Sequence, residues 1–303
     1  MKIGYPCINT SLGCKSSRTF RLKSYSEKRL MATVESNLIC LARILRFNLR
    51  HNILFFRITS DLVPFASHPI CTCDWQGRFR KRFKAIGDFI KRYGMRISMH
   101  PGQFTLINSP DTRVFENSVQ ELAYHAHVLD LMTLDTSAKI QIHVGGIYRD
   151  KDQSMIRFVE RFGMLDELLK RRLVLENDDR RYSLSDCLQL SAETGIPVVF
   201  DVFHHGVHSS GESIPEAFRL FTRTWQEADG LPMVDYSSQK TGRKVGTHVD
   251  TINVEHFGQF LDASQPYDFG LLLEIKDKEL SALKAVDVAS RDDRFFVAKK
   301  HAP

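Results

Sequence analysis

Long apolar runs are missing from this sequence of 303 residues. No uncharged apolar stretch approaches the roughly 18–20 residues that a membrane-spanning helix needs, so the sequence excludes a transmembrane helix. We expect no secretory segment either, because residues 1–6 lead directly into a strand-like run. We therefore expect an intracellular protein of the cytoplasm that has no membrane partner.

Cysteine is scarce and scattered. The sequence has six cysteines, of which only Cys71 and Cys73 are close together, and no second pair completes the spacing of a zinc ribbon. In a reducing cytoplasm we expect free thiols, most of them buried. Hydrophobic residues make up 43% of the chain and charged residues 26%, which excludes a disordered tail, a collagen-like rod and a disulfide-stapled mini-protein.

The chain also lacks an internal boundary. No linker rich in proline, glycine and serine, no break in composition and no short repeat divides it, so we predict one domain over residues 1–303. Eight runs rich in β-branched or aromatic residues follow one another along the chain. They begin near Lys2, Ile53, Arg96, Lys139, Arg172, Pro197, Pro232 and Asp268. Most are apolar at successive positions, as in parallel strands that are buried on both faces.

Amphipathic segments separate these runs. The first repeats apolar residues at helical spacing, at Leu30, Val34, Leu38, Leu41 and Leu45. Capping-box patterns predict helix starts at Ser24 with Glu27 and at Ser213 with Glu216. The alternation indicates an α/β protein with a single (β/α)8 TIM barrel. A doubly wound open sheet is the second choice, but the turn after the first strand lacks the glycines that bind phosphate in such sheets.

Side chains of the type that bind metal ions follow most of the predicted strands. In a barrel the carboxyl ends of the strands meet at one rim, where the active site is built. The candidate ligands are His100, His143, Glu176, Asp201, His204, Asp235, His248 and Glu274. Mixed histidine and carboxylate ligands suit zinc, manganese or iron better than magnesium or calcium. Eight ligands exceed the need of one ion, so we expect two or three ions with a bridging carboxylate, an arrangement suited to phosphodiester hydrolysis.

The balance of charge is modestly basic. Lysine and arginine number 42 against 36 aspartates and glutamates, a formal net charge of +6, which favours an anionic partner such as nucleic acid. The second amphipathic segment contributes Arg78, Arg80, Lys81, Arg82, Lys84, Lys91 and Arg92. A charged helix face is usually only solvated surface, so this segment alone does not define a binding site.

Several motifs, each at a predicted strand end and in a matching order, resemble those of the UV damage endonucleases, barrel nucleases akin to the apurinic endonuclease IV group. The motifs are Gly4-Tyr5 with Asn9; Arg57-Ile58-Thr59-Ser60-Asp61 with Pro64-Phe65-Ala66-Ser67-His68; His100-Pro101-Gly102-Gln103-Phe104; His143-Val144-Gly145-Gly146; Leu175-Glu176-Asn177-Asp178-Asp179; Asp201-Val202-Phe203-His204-His205; Asp235-Tyr236-Ser237-Ser238-Gln239; and Glu274-Ile275-Lys276-Asp277-Lys278. The resemblance extends over nearly the whole chain.

The resemblance implies a nick immediately 5′ to a cyclobutane pyrimidine dimer or a 6-4 photoproduct, with some action on abasic sites. It implies three divalent ions, Mn²⁺ before Zn²⁺ or another metal. Glu176 would bridge two ions, with His100 and His143 at one and Asp201 and Glu274 at the other. A third ion would be held by His204 and His248. The implied catalytic residues are Glu176, His100, His143 and Lys276.

The resemblance also implies how a lesion is bound. Gln103 and Phe104 match the position where the family pushes a polar and an aromatic side chain into the helix, and Tyr5, Asn9 and His68 match residues near the damage. The implied partner is UV-damaged double-stranded DNA, bound by a monomer. Two positions depart from the pattern. Met233 stands where some relatives have a carboxylated lysine, and Asp235 stands where some have histidine.

Two other functions fit part of the sequence. A sugar isomerase or epimerase on the same barrel would explain the fold and some ligands, but neither the Gln-Phe pair nor the basic excess. A DNA-binding module without catalysis would have no use for so many ligands at one rim. The leading interpretation is therefore a metal-dependent DNA-repair endonuclease.

Overall fold

The fold is an eight-stranded parallel barrel. The computed structural model describes residues 1–298. Its strands are β1 (Lys2–Pro6), β2 (Phe55–Ile58), β3 (Arg96–Met99), β4 (Lys139–His143), β5 (Leu173–Glu176), β6 (Val198–Asp201), β7 (Met233–Tyr236) and β8 (Gly270–Leu273). Each strand pairs in parallel with the next, and β8 pairs with β1, so the sheet closes. The predicted (β/α)8 barrel is confirmed. The single domain over 1–303 stays a prediction, since residues 299–303 lie outside the described chain.

Helices lie between the strands on the outside of the barrel. They are α1 (Glu27–Arg50), α2 (Trp75–Arg92), α3 (Thr112–Leu131), α4 (Lys151–Gly163), α5 (Glu167–Lys170), α6 (Leu184–Thr194), α7 (Val202–Val207), α8 (Ile214–Phe221), α9 (Val254–Ala263) and α10 (Glu279–Ala289). Short 3₁₀ helices occupy Leu22–Ser24, Ser60–Leu62, Thr222–Thr224 and Glu227–Asp229. Within residues 1–298, no helix has both the length and the apolar character needed to cross a membrane.

Most of the helices begin where a small polar side chain caps them. Glu216 accepts hydrogen bonds from the backbone nitrogen and Oγ of Ser213, which confirms the predicted capping box of α8. The capping box predicted at Ser24 is wrong. Ser24 ends a 3₁₀ helix, and α1 is instead capped by Ser26, whose Oγ accepts from the nitrogen of Arg29 at 3.3 Å. The extra turn before α1 shifts the cap by two residues.

The strands form the centre of the core. Every residue of β2, β3, β5, β6, β7 and β8 is buried, because the helices cover the outside of the barrel and side chains fill its interior. The five apolar residues that predicted α1 are all buried as well. The core therefore continues outward from the barrel to the inner faces of the helices.

The expectation of free, mostly buried cysteines is wrong. Cys14 and Cys40 form a disulfide, with their Cα atoms 5.9 Å apart. The segment after β1 folds back along α1, where the side chain of Asn37 accepts from the backbone nitrogen of Arg18 at 3.0 Å. This contact holds the two cysteines near each other although they are 26 residues apart in sequence. Of the four free cysteines in the described chain, only Cys187 is buried.

Candidate metal centre

A buried carboxylate lies at the centre of the rim. Glu176 is the last residue of β5 and pairs in register with His143 of β4. Its Oε2 lies 3.2 Å from Nε2 of His100, which follows β3, and 3.4 Å from Nε2 of His143. Nδ1 of His100 lies 2.9 Å from the carbonyl of Pro101, and a hydrogen bond there orients the ring so that Nε2 is directed at Glu176. Three consecutive strands thus meet at one carboxylate.

The next strand adds a second carboxylate and a third imidazole. Asp201 ends β6, and its Oδ1 accepts from the backbone nitrogen of His204 in α7 at 2.7 Å. This turn brings Nδ1 of His204 within 3.4 Å of Glu176 Oε1 and 3.5 Å of Asp201 Oδ2. Asn177 fixes the pair from behind, because its side chain hydrogen-bonds to both the carbonyl and the nitrogen of Asp201.

These residues fit divalent metal ions. Two groups have ligand atoms within 4.8 Å of one another, and they share Glu176: one adds His100 and His143, the other Asp201 and His204. Oδ2 of Asp201 is buried and makes no hydrogen bond, with His204 Nδ1 only as close as 3.5 Å, so it lacks the hydrogen-bond donor that a buried carboxylate oxygen usually has. A cation would supply that partner, and mixed nitrogen and carboxylate donors suit zinc, manganese or iron.

The electrostatics of the group indicate strong mutual interaction. Burial raises the pKa of Asp201 well above its usual range. Burial alone would do the same to Glu176, but the surrounding imidazoles outweigh it and hold the pKa of that carboxyl well below its ordinary value. Burial lowers the pKa of His143, and in His204 the two carboxylates outweigh burial and raise the pKa to about 11. Perturbation of this kind is typical of functional sites.

Two other predicted ligands are engaged by an arginine. Oδ2 of Asp235 accepts from Nη2 of Arg57 at 2.7 Å and from Nε2 of Gln141 at 2.5 Å. Glu274 accepts from Nη1 of the same guanidinium. Gln141 also donates to Glu176 Oε2 at 2.5 Å, which connects this cluster to the first. Neither Asp235 nor Glu274 belongs to the two metal-type groups of the described chain.

Sequence reasoning did not assign a site role to Arg57 or Gln141. Both are buried within strands, and Gln141 precedes His143 by two positions, which places the two side chains on the same face of β4. The usable signal was a charged or amide side chain within a predicted buried strand. In β4 it also lies two positions before a candidate ligand, so that both side chains face the same way.

The last two predicted metal or catalytic residues lie farther from Glu176. His248 is on the long segment after β7, where its Nδ1 is 2.8 Å from the carbonyl of Glu274 and its ring centroid is 6.2 Å from that of His204. Lys276 is exposed, and within residues 1–298 its ion pair is with Asp250 at 2.9 Å. The structure therefore brings His248 to the edge of the group and leaves Lys276 outside it.

One of the expected recognition residues, Gln103, lines a cleft of about 410 Å³ beside the imidazoles. Its lining includes His100, Gln103, His143, His204 and the loop residues 178–181. Phe104 is 67% exposed, and its ring lies against Gly102, where an added Cβ would come within 2.4 Å of it. Gln103 is exposed as well, and His68 is exposed on the segment after β2. Phe104 is not part of the core.

Tyr5 and Asn9 are placed differently from this expectation. Both are buried, at 0% and 2% exposure. The hydroxyl of Tyr5 donates to Asn48 at 2.7 Å and accepts from Asn9 at 2.9 Å. In the described structure these two side chains hydrogen-bond within the interior beside β1, and their role near a lesion stays a prediction.

The basic residues of α2 lie on the outer surface. All seven are exposed, and three of them form ion pairs with acidic residues: Arg82 with Glu35, and Lys84 and Lys91 with Asp88. Arg180 and Arg181, which sequence reasoning did not single out, instead line the cleft. The exposed basic charge at the cleft thus comes from the loop after β5.

A family model described as the UV-endonuclease UvdE matches residues 1–296. The chain belongs to this family. Among curated UvdE relatives, the UV DNA damage endonuclease of Clostridium perfringens (strain 13 / Type A) is 37% identical over 289 residues, covering 95% of this chain and 70% of the relative. The UV DNA damage endonuclease of Bacillus cereus (strain Q1) is 32% identical over 296 residues, covering 94% of this chain and 93% of the relative. The resemblance expected from the motifs is confirmed.

Solved structures agree with the family. The crystal structure of SacUVDE superposes with a TM-score of 0.93 at 46% identity, covering 97% of this chain and 99% of that one. Endonuclease IV from Thermus thermophilus gives a TM-score of 0.53 at 16% identity, covering 82% of this chain and 93% of that one. A 3-keto-D-glucoside 4-epimerase from Escherichia coli gives a TM-score of 0.58 at 11% sequence identity, covering 96% of this chain and 99% of that one. The last two likenesses concern the barrel fold alone.

Proposed function

We propose that the chain is a metal-dependent DNA-repair endonuclease. It nicks the strand immediately 5′ to cyclobutane pyrimidine dimers and 6-4 photoproducts, with some action on abasic sites. The observation that carries this proposal is the shared carboxylate of Glu176, which lies among three imidazoles and Asp201 beside an exposed Gln103-Phe104 pair. The family membership supplies the substrate class, and the site supplies the chemistry.

The residues divide this work between holding ions and binding DNA. His100, His143, Glu176, Asp201 and His204 would hold divalent ions, Mn²⁺ in the first place and Zn²⁺ as the alternative. Such ions, when bound, activate a water and stabilise the charge of the scissile phosphate and the leaving oxygen. The backbone contacts of His100 and His204 keep both rings oriented before any ligand arrives.

Recognition would depend on weak stacking at the lesion. Chemically different lesions share a lower free energy of unstacking, so a side chain that fills the space left by displaced bases accepts all of them. Phe104 and Gln103 are exposed on the loop after His100 and are therefore free to enter a duplex. Arg180 and Arg181, which also line the cleft, would contact backbone phosphates. We place this activity inside the cell and expect a monomer.

Plasmid nicking tests the proposal. Supercoiled plasmid, irradiated or untreated, is incubated with purified protein and Mn²⁺. The fraction converted to relaxed circles is then measured on an agarose gel. We expect nicking of the irradiated plasmid only, its loss after chelation and its return with added Mn²⁺. Equal nicking of both plasmids would contradict recognition of damage, and undiminished nicking by metal-depleted protein would contradict metal dependence. The sugar-epimerase alternative would share the barrel and some of the metal-type residues, but it gives no role to the exposed Gln103-Phe104 pair.

A further inference from the structure

A cavity of about 400 Å³ lies at the amino end of the barrel, where the strands begin. Its volume is within the roughly 300–1,000 Å³ of small-molecule sites. Three basic side chains line it: Lys2, Lys91 and Arg96. The metal-type groups lie at the other end of the barrel, because Glu176 and Asp201 are the last residues of their strands. The cavity is therefore a basic site that is separate from the candidate metal centre.

Arg96 is a buried cation at this cavity. It is the first residue of β3 and is 7% exposed. Its Nη2 donates to the backbone carbonyls of Asp229 at 3.1 Å and Leu231 at 2.8 Å. Within residues 1–298 its Nε and Nη1 donate to no protein group, although buried polar groups nearly always have a partner. The guanidinium therefore keeps donors for an acceptor that the described chain does not provide.

The acids near Lys2 and Arg96 are engaged by other groups. Asp229 pairs with the lysine that begins β4 at 2.5 Å, and Asp268 pairs with the amino terminus. Asp135, which lines the cavity, accepts from the backbone nitrogen two residues farther along the chain at 3.0 Å. Among residues 1–298, neither Lys2 nor Arg96 forms an ion pair of its own.

The pKa values of the two cations agree with this shortage of negative charge. Burial lowers the pKa of Arg96 to about 10, although Asp135 and Asp229 act in the opposite direction. Burial also lowers the pKa of Lys2, and the nearby charge of Arg96 lowers it further. Two partly buried cations that repel each other would be stabilised by an anion bound beside them.

We propose that this cavity binds a phosphate dianion, either free or as the phosphate group of a small metabolite, between Lys2 and Arg96. Phosphate suits the site because guanidinium and ammonium groups both bind it, and because its two negative charges match two cations. The inference goes beyond the proposed function, since this ligand would bind at the opposite end of the barrel from the metal-type groups.

Calorimetry with metal-free protein tests the proposal without a contribution from bound metal. The probes are inorganic phosphate and glycerol 3-phosphate at constant ionic strength, and the tighter of the two shows which source fits the cavity. We expect a Kd below about 1 mM for at least one probe, and binding at least about tenfold weaker in Lys2→Gln. Lys28→Gln is the matched control, because Lys28 is exposed in α1 and does not line the cavity. Its affinity should stay within about twofold of the wild type.

Absence of binding to the wild type, or equal affinity in Lys2→Gln, would overturn the inference. Arg96 would then serve only to fasten residues 229–231. Neither result would bear on the proposed function, since no metal or DNA is present. Wild-type crystals soaked in tungstate give a second measurement that does not depend on the folding of a variant. We expect an anomalous peak beside Lys2 and Arg96, and a peak only at Arg180 and Arg181 would overturn the inference.

Discussion

Phe104 is an aromatic side chain that gains little from folding. Burying a phenylalanine stabilises a protein by roughly 1.5–3 kcal/mol, but this ring stays 67% exposed and lies mainly over Gly102. Its neighbours along the chain, His100 and Pro101, lead directly to the metal-type group. The ring is thus held next to the proposed reaction centre without being needed for the core, which suits a side chain that enters DNA.

We expect Phe104→Ala to weaken binding to a photodimer duplex by at least about tenfold, or 1.4 kcal/mol. Binding to undamaged duplex should change by less than about threefold, because it depends on phosphate contacts. Gel-shift titrations of both duplexes measure this difference. Leu168→Ala is the matched control, since Leu168 is 71% exposed in α5, at the opposite end of the barrel. Equal loss on the two duplexes would rule out a role in damage recognition.

Sequence reasoning at the residue scale finds the side chains that converge at the strand ends but misses the contacts inside the barrel, and the role of the strand-end residues as metal ligands stays a prediction. His100, His143, Glu176 and Asp201 could be predicted because a strand end is readable from the sequence around it. The pairing of Arg57 with Asp235 joins β2 to β7 across the barrel interior, and that distance is not encoded in local sequence. The burial of Tyr5 was missed for the same reason, since its hydroxyl is satisfied by Asn48 of α1.

Helix packing depends on close backbone approach at one position of α2. Gly87 is buried, and a Cβ placed there would lie 1.7 Å from the carbonyl oxygen of Met132, just after α3. A backbone oxygen cannot move aside as a flexible side chain can, so any side chain at this position must push α2 away from α3.

We therefore expect Gly87→Ala to destabilise the protein by roughly 1–3 kcal/mol, the range of overpacked cores. Gly258→Ala is the control, since Gly258 lies within α9 and nothing is within 4 Å of an added Cβ. That change should be neutral or stabilise by up to about 1 kcal/mol, because alanine favours a helix over glycine. Denaturant unfolding of the two variants checks the prediction. Similar stabilities would mean that the α2–α3 contact is not tight.

At the scale of elements, the sequence predicts which segments are strands or helices better than how their ends are held. The eight strands form where apolar runs predict them. The start of α1 at Ser26 and the disulfide of Cys14 with Cys40 depend on how the segment after β1 lies along α1. That docking is a tertiary contact, and neither a capping pattern nor a cysteine count reveals it.

The molecule as a whole has a formal net charge of +6, and its cleft carries exposed arginines in the loop after β5. Phosphate contacts release counterions and give no information on sequence or damage. We expect affinities for damaged and undamaged duplex to fall in parallel between about 50 and 200 mM salt, with their ratio constant within about threefold. Fluorescence anisotropy at several salt concentrations measures both. A ratio that falls to one would show that discrimination is electrostatic, in contradiction to a stacking wedge.

Glu176→Gln tests the central claim most directly. The substitution keeps the shape of the side chain at the meeting point of the imidazoles but removes the charge that two ions would share. We expect nicking of a photodimer duplex to fall by at least about a thousandfold, on the scale of losing a major transition-state stabiliser. Affinity for the same duplex should stay within about tenfold, since Phe104 and the cleft arginines are unchanged. Nicking that is retained, in a variant with an unaltered circular dichroism spectrum, would remove Glu176 from the catalytic site and contradict the mechanism.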